Sequence, residues 1–350
     1  MRLRAGLRVL WCARDEVQIG TDARWAIRLS GLTAGEVGLL LALDGGGPAP
    51  GLAKRAGSLG IRPERLHALV GELDRAQLTT RATELDRGHL LPPQLGPDAG
   101  TWTRLLADGR GSTLLAARHP RVVGLVGAGR LGLTAAVTLA AAGVGCVLVE
   151  DDLPVTHADL GAGGYTARDV GSPRRVAAAR ALRDIAPDVT TTAPPRTRPD
   201  VMVLVEHGAA DALRSRVLMS AGVVHLSIVV RDADVVVGPL VRPGSSPCLR
   251  CLDLHRTDAD RRWPALAAQL VGGVRSTAPH EETVLAAIAG ALAAGQVLAQ
   301  LDGTAPHTLG ASLEIALPEA VPRLRQWSTH PDCGCTGLPR AGGGPPSRGG

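Results

Sequence analysis

Four cysteines in two close pairs carry the clearest chemistry in this chain: Cys248-Leu-Arg-Cys251 and Cys333-Gly-Cys335. Each pair can present two thiolates to one ion. Four thiolates close a tetrahedral zinc site of the structural type, which leaves no open position for a substrate. Pro247, Pro331 and Gly334 flank the pairs and favour the turns that bring paired sulfurs together. Two disulfides or free thiols are the other reading of the same residues. Disulfides need an oxidising compartment, and the start, Met1-Arg-Leu-Arg-Ala, lacks the apolar segment of a secretory signal. The expectation is a cytoplasmic protein with a structural zinc on Cys248, Cys251, Cys333 and Cys335. That metal would staple the end of the chain to a loop in its middle.

A second constellation is Gly127-Ala-Gly-Arg-Leu-Gly132. A buried-type strand, 121–127, leads into it, and a helix of small apolar residues, 133–142, leads out. Cys146-Val-Leu-Val149 is the next strand, with Glu150 and Asp152 at its end. This order of strand, glycine turn, helix and strand is the setting in which such a fingerprint binds nucleotide phosphates. The glycines permit the tight turn and let backbone N–H groups meet a phosphate at the positive end of a helix. Gly127, Gly129, Arg130 and Gly132 are therefore candidate phosphate contacts. Glu150 and Asp152 are candidates for ribose and magnesium, and Arg174 is a candidate phosphate contact at the start of another helix. The same residues also read as a retained fold element with an empty pocket, a solvated acidic turn and a surface arginine.

The elements that must position these groups fall into two units. Residues 1–85 hold short alternating strands at 7–11, 17–19 and 25–29. Thr33-Ala-Gly-Glu36 is a capping box that opens a helix running to about residue 44. Helices follow near 52–58 and 62–75, and a closing strand near 77–81. Strands with a three-helix cluster predict a small winged-helix-like α+β domain, with Trp11 and Trp25 in its core. Residues 86–118, rich in proline and glycine, read as a connector. Residues 119–336 read as a doubly wound, Rossmann-like α/β domain with a mostly parallel sheet. It has further strands at 201–205 and 223–230 and a long alanine-rich helix at 281–301. The tail, 337–350, reads as disordered.

Composition narrows the function. No run of eighteen apolar residues occurs, so no membrane span is expected. A net charge of +5 is mild for 350 residues, and the arginines are scattered among carboxylates, so nucleic acid is not an expected partner. The chain has no Asn and one Lys, Lys54, so a site that needs Asn, or Lys elsewhere, cannot exist.

From 122 to 335 the chain resembles the ThiF family, the prokaryotic relatives of ubiquitin-activating enzymes. The resemblance is carried by Gly127-Ala-Gly-Arg-Leu-Gly132, Leu148-Val-Glu-Asp-Asp152, Asp169-Val-Gly-Ser-Pro-Arg174, Pro247-Cys-Leu-Arg-Cys251 and His330-Pro-Asp-Cys-Gly-Cys335. It implies a nucleotide pocket at the glycine turn and a zinc on four cysteines. For active members it also implies adenylation of a C-terminal carboxylate with ATP and Mg²⁺. Several positions depart from the family pattern. Arg130 replaces a phosphate-loop glycine. The Asn-Leu-x-Arg-Gln segment is matched by Ala158-Asp-Leu-Gly-Ala-Gly-Gly164, and the phosphate-binding Lys falls on Arg174. The magnesium-binding Asp falls near Glu206-His207-Gly208. No cysteine occurs in 252–332, where thioester-forming members carry theirs, and Cys12 and Cys146 lie elsewhere.

Residues 1–85 resemble the small domain that precedes ThiF-like partners of YcaO-type peptide cyclodehydratases. There it clamps a leader peptide by adding it as a strand. The expected function is binding of a precursor or leader peptide and its presentation to a YcaO-type enzyme, with a degenerate ATP site and a homodimeric assembly. The alternative is an active adenylyltransferase acting on a peptide, ubiquitin-like or sulfur-carrier protein. A nicotinamide-dependent dehydrogenase lacks a catalytic His or Lys after the fingerprint.

Overall fold

A computed structural model describes residues 2–4, 6–44, 51–80, 90–194, 196–272 and 281–337. They form two compact units, Met1–Ala117 and Arg118–Gly350.

In the first unit, β1 (Arg2–Leu3) leads to a three-stranded antiparallel sheet of β2 (Val9–Ala13), β3 (Glu16–Ile19) and β4 (Ile27–Leu29), in that order. Period-2 alternation turns Val17 and Ile19 inward, where they meet Val37 and Leu40 of α1 (Ala34–Leu41) and Leu69 of α3 (Pro63–Arg75). Burial of each such side chain contributes about 1.5–3 kcal/mol. The capping box forms as expected: Thr33 Oγ1 accepts from the Glu36 amide, and Glu36 accepts from the Thr33 amide. Between these helices lies α2 (Leu52–Ser58). The strand β5 (Thr79–Thr80) pairs with β1, apart from the three-stranded sheet.

Two features differ from expectation. Trp11, expected in the core, is 64% exposed. It lies on an edge strand whose register with β3 shifts between Trp11 and Ala13, and Val9 is that strand's buried residue. The stretch expected as a connector contains α4 (Gly96–Leu105) and α5 (Gly111–Ala116). Gly96-Pro97, which reads as a breaker, opens α4 instead. Proline's missing N–H costs nothing in a first turn, where the donor has no intrahelical partner.

The second unit is built on a seven-stranded sheet. β6 (Val122–Val126), β7 (Cys146–Glu150), β8 (Val201–His207) and β9 (His225–Val230) are parallel, in the order β7, β6, β8, β9. An antiparallel extension not anticipated from the sequence follows: β10 (Asp234–Val241), β11 (Ala311–Ala316) and β12 (Arg323–Gln326). Gly238-Pro239 interrupts the valine run of β10 and reads as a breaker, and the register shifts between Val237 and Leu240. The helices are α6 (Arg130–Ala141), α7 (Arg174–Ile185), α8 (Ala212–Ser220), α9 (Leu249–Ala259), α10 (Trp263–Gly272) and α11 (Thr283–Leu301). Helix α11 is long and apolar enough to cross a membrane. Its Leu285, Ala289, Ala293 and Val297 are buried in one cluster with Leu131, Ala135 and Leu139 of α6, so it is a core helix. The tail 338–350 lies outside the described residues.

Arg118 and Asp302 form a two-bonded ion pair at 2.7 and 2.9 Å, with side chains only 2% and 4% exposed. Arg118 also donates to the Ala142 carbonyl at the end of α6, and Asp302 is the C-cap of α11. Removing one partner strands a buried charge. Asp302→Ala is expected to lower unfolding free energy by about 3–5 kcal/mol, while an apolar double replacement, Arg118→Met with Asp302→Leu, regains most of it. Denaturant unfolding of the variants checks this; a loss below about 1 kcal/mol would place the pair among surface-type bridges.

Candidate functional site

The glycine turn joins β6 to α6 at the carboxyl ends of the parallel strands, where open α/β sheets place their ligands. Gly127 has φ +84°, and a Cβ there would stand 2.5 Å from the Val205 carbonyl. Only glycine fits that approach. The helix starts at Arg130 with Gly129 as its cap. Its first N–H groups have no intrahelical partners, as at any helix start, and a phosphate would use them.

Here the chain supplies its own anions. The Ala128 N–H donates to Asp151 Oδ2 at 2.8 Å, and the Leu131 N–H donates to Glu281 Oε2 at 2.7 Å. A Cβ on Gly129 would lie 2.6 Å from Glu281 Oε1, so this carboxylate sits directly against the turn. Glu281 Oε1 is also 2.9 Å from His207 Nε2. Arg130 does not point to a phosphate position: its Nη1 donates to the Glu281 carbonyl and the Thr283 hydroxyl.

Arg174 is buried and spent on two acids, with Nη1 3.2 Å from Asp151 and Nη2 2.6 Å from Asp159. Tyr165 backs this group, its hydroxyl 2.9 Å from the Ala128 carbonyl, and burial pushes its pKa up. Glu206 is buried, which pushes its carboxyl above the usual carboxylate range, although Arg214 Nη1 at 3.1 Å and the Asp211 N–H oppose that shift. Beside these groups lies a cavity of about 390 Å³ lined by Gly127, Gly129, Glu150, Asp151, Arg174 and Glu206, among others.

The structure thus brings Gly127, Gly129, Glu150 and Arg174 around one crevice; Arg130 lines a separate cavity, and Gly132 packs against the Gly127 carbonyl. Asp152 stands apart, exposed and paired with Arg175. Sequence reasoning missed Asp151, Asp159 and Glu281. Asp151 sits between two acids that were singled out, and nothing local distinguishes it. Glu281 lies 150 residues from its partner Leu131, beyond the reach of any spacing rule.

The cysteine pairs do meet. Sγ–Sγ distances are 3.9 Å for Cys248–Cys251, 3.6 Å for Cys248–Cys333 and 3.5 Å for Cys251–Cys335. Tetrahedral bonds of about 2.3 Å require sulfurs about 3.8 Å apart, so the four fit one ion. All four are buried. Burial pushes the Cys248 thiol up and the Cys335 thiol up to about 12, a cost that a bound cation would offset. His255, His330 and Asp258 form a second convergent group. The Asp332 N–H donates to His330 Nδ1, which leaves the proton on Nε2 to meet Asp258 at 2.8 Å. His255 Nε2 meets the Ser328 carbonyl. Both facing nitrogens therefore serve as donors, and the group anchors the second cysteine pair to α9.

A glycine turn at the parallel strand ends, with a four-cysteine knuckle beyond an antiparallel extension, defines a protein of the adenylyltransferase-type α/β fold. The chain belongs to the ThiF family, whose profile matches residues 114–335. Among solved structures it is similar to E. coli MccB determined with ATP: 14% identity, TM-score 0.69, covering 95% of this chain and 98% of that one. It is also similar to the microcin C7 biosynthetic enzyme MccB in complex with N-formylated MccA, at 13% identity and TM-score 0.69, covering 96% and 99%. PaaA is a third, at 15% identity and TM-score 0.68, covering 91% and 98%. At these identities the likeness is one of fold. No curated protein matches the sequence.

Proposed function

We propose that this protein binds a precursor or leader peptide and presents it to a partner modifying enzyme, and that its own ATP site is degenerate. One observation carries the reading: Asp151 and Glu281 occupy the amide donors of the glycine turn, and Arg174 is consumed by Asp151 and Asp159. A nucleotide phosphate would have to displace two carboxylates, with few free cations to receive it. Zinc is the metal we assign to Cys248, Cys251, Cys333 and Cys335. It has a structural role, because four thiolates fill a tetrahedron.

The peptide would pair with a free edge of the small antiparallel sheet, as β-strand addition requires. We read the first unit as winged-helix-like on the resemblance stated above. A YcaO-type partner and a homodimer rest on that resemblance too. The likeness to MccB, a biosynthetic enzyme seen with the peptide MccA, supports a peptide as ligand.

Calorimetric titration of the metal-loaded protein with ATP and Mg²⁺ tests the reading. No binding up to millimolar ATP is the expected result. Micromolar binding would instead favour the second reading, an adenylyltransferase acting on a peptide carboxylate. That reading draws on the open crevice beside Glu150 and on the likeness to MccB determined with ATP. Pyrophosphate exchange in the presence of peptide would then follow.

A further inference from the structure

A cavity of about 290 Å³ opens in the first unit, where the turn before β4 meets the start of β2 and the end of α4. Its wall includes Trp25, and arginines gather around that ring. The Arg24 guanidinium lies 4.7 Å from the ring centroid and that of Arg4 5.8 Å, while Arg8 and Arg104 line the cavity itself. Carboxylates are fewer. Asp44 holds Arg8 and Asp22 holds Arg24. Arg104 has no carboxylate partner among the described residues, and its side chain donates to the Thr101 hydroxyl at 3.4 Å.

Arg4 stands against the Trp25 ring rather than in the cavity's lining. It is 2% exposed, and among the described residues its side chain donates only to the Leu105 carbonyl at 3.4 Å and its Nε has no partner. Burial lowers its pKa, with no acid among the described residues to oppose the shift. A buried charge without a counterion is costly unless something supplies one. Three guanidinium groups line the cavity, those of Arg8, Arg24 and Arg104, against the carboxylates Asp22 and Asp44, which leaves one positive charge in excess among the described residues. Gly6, at φ +80°, lets Arg104 lie against the backbone here, since a Cβ would stand 2.9 Å from its Nη1.

We propose that this cavity binds an Asp or Glu side chain of an extended peptide laid along the free edge of β4. The inference rests on the peptide-binding reading above and adds the chemistry that selects the peptide. Strand β4 is an outer strand of its sheet, and Trp25 precedes its first residue, Ile27, by two positions. An extended chain advances about 3.3 Å per residue. A peptide paired with β4 therefore reaches the cavity mouth within one or two residues of its last pairing. Arginine forks bind carboxylates in a two-bonded geometry, which gives register as well as affinity. Inorganic phosphate shares the charge but not the strand.

A phage-displayed library of random dodecapeptides, selected on the full-length protein, provides the test. The enriched peptides are synthesised as selected and again with each Asp or Glu changed to Asn or Gln. The selected peptides are expected to carry an acid at a fixed distance from an alternating apolar stretch. Their amide forms should bind about tenfold or more weakly, and added salt should weaken the acidic forms selectively. Arg104→Ala, at an exposed position, should remove the difference between the two forms while leaving the thermal midpoint in place. Equal affinity of acidic and amide peptides overturns the proposal and leaves peptide binding standing. Failure to enrich any peptide overturns both. Sub-millimolar binding of inorganic phosphate, lost in Arg104→Ala while both peptide forms bind alike, overturns the peptide assignment.

Discussion

A Cys251→Ser chain should emerge from purification without its metal and should unfold at much lower denaturant than the parent. Cys251 is fully buried, and its sulfur faces those of Cys248 and Cys335 at 3.9 and 3.5 Å. Losing one of four thiolates breaks the closed tetrahedron. Apparent binding energies of structural zinc sites in small peptides run to about 10–16 kcal/mol. That rivals the whole stability of a typical domain, about 5–15 kcal/mol. Much of it is realised here as attachment of the second cysteine pair to α9, through sulfurs 84 and 85 residues apart. The parent should carry about one metal per chain, and a chelator should mimic the mutation. Metal analysis and circular dichroism melts make the comparison, with Cys146→Ser as the control, because Cys146 lies on β7 outside the cluster. Stoichiometric metal retained by Cys251→Ser would rule out the four-sulfur set.

Replacing Glu281 by Gln should raise affinity for ATP with Mg²⁺ above that of the parent chain. The amide oxygen of Gln can still accept from the Leu131 N–H, so the change removes charge more than contact. Two like charges 4 Å apart repel by about 4 kcal/mol at an effective dielectric of 20. His207 at 2.9 Å shares part of that field, so a gain of about tenfold to hundredfold in Kd is the expected scale. Adding Asp151→Asn should increase the gain further, since it removes a second negative charge beside the turn and takes one of the two acids off Arg174. Titration calorimetry on the three proteins checks this. If Glu281→Gln binds no better than the parent, repulsion is not the barrier. The replaced family cations would then account for weak binding.

Much of the architecture was legible because it is local. The Thr33–Glu36 capping box, the helices at 52–58 and 63–75 and the glycine turn with its flanking strands all follow from residues within one or two turns of each other. The antiparallel strands β10 to β12 were not legible. A glycine and a proline interrupt β10, and its pairing partner β11 lies far along the chain. Trp11 shows the opposite failure. Alternation placed it inside, but inside is defined only where a partner layer exists, and β2 ends at the sheet edge.

The site divides in the same way. Cysteine type and spacing by themselves marked two thiol pairs able to share one ion, and the fold brings their sulfurs to 3.5–3.9 Å. The glycine pattern by itself determined that a helix would begin where an anion is favoured. Only the tertiary structure decided which anion stands there. Asp151 comes from the end of the neighbouring strand and Glu281 from the entry to α11, and neither position carries a mark in the local sequence. A helix start attracts any negative charge that folding delivers to it, and delivery depends on packing between elements, which spacing along the chain does not encode.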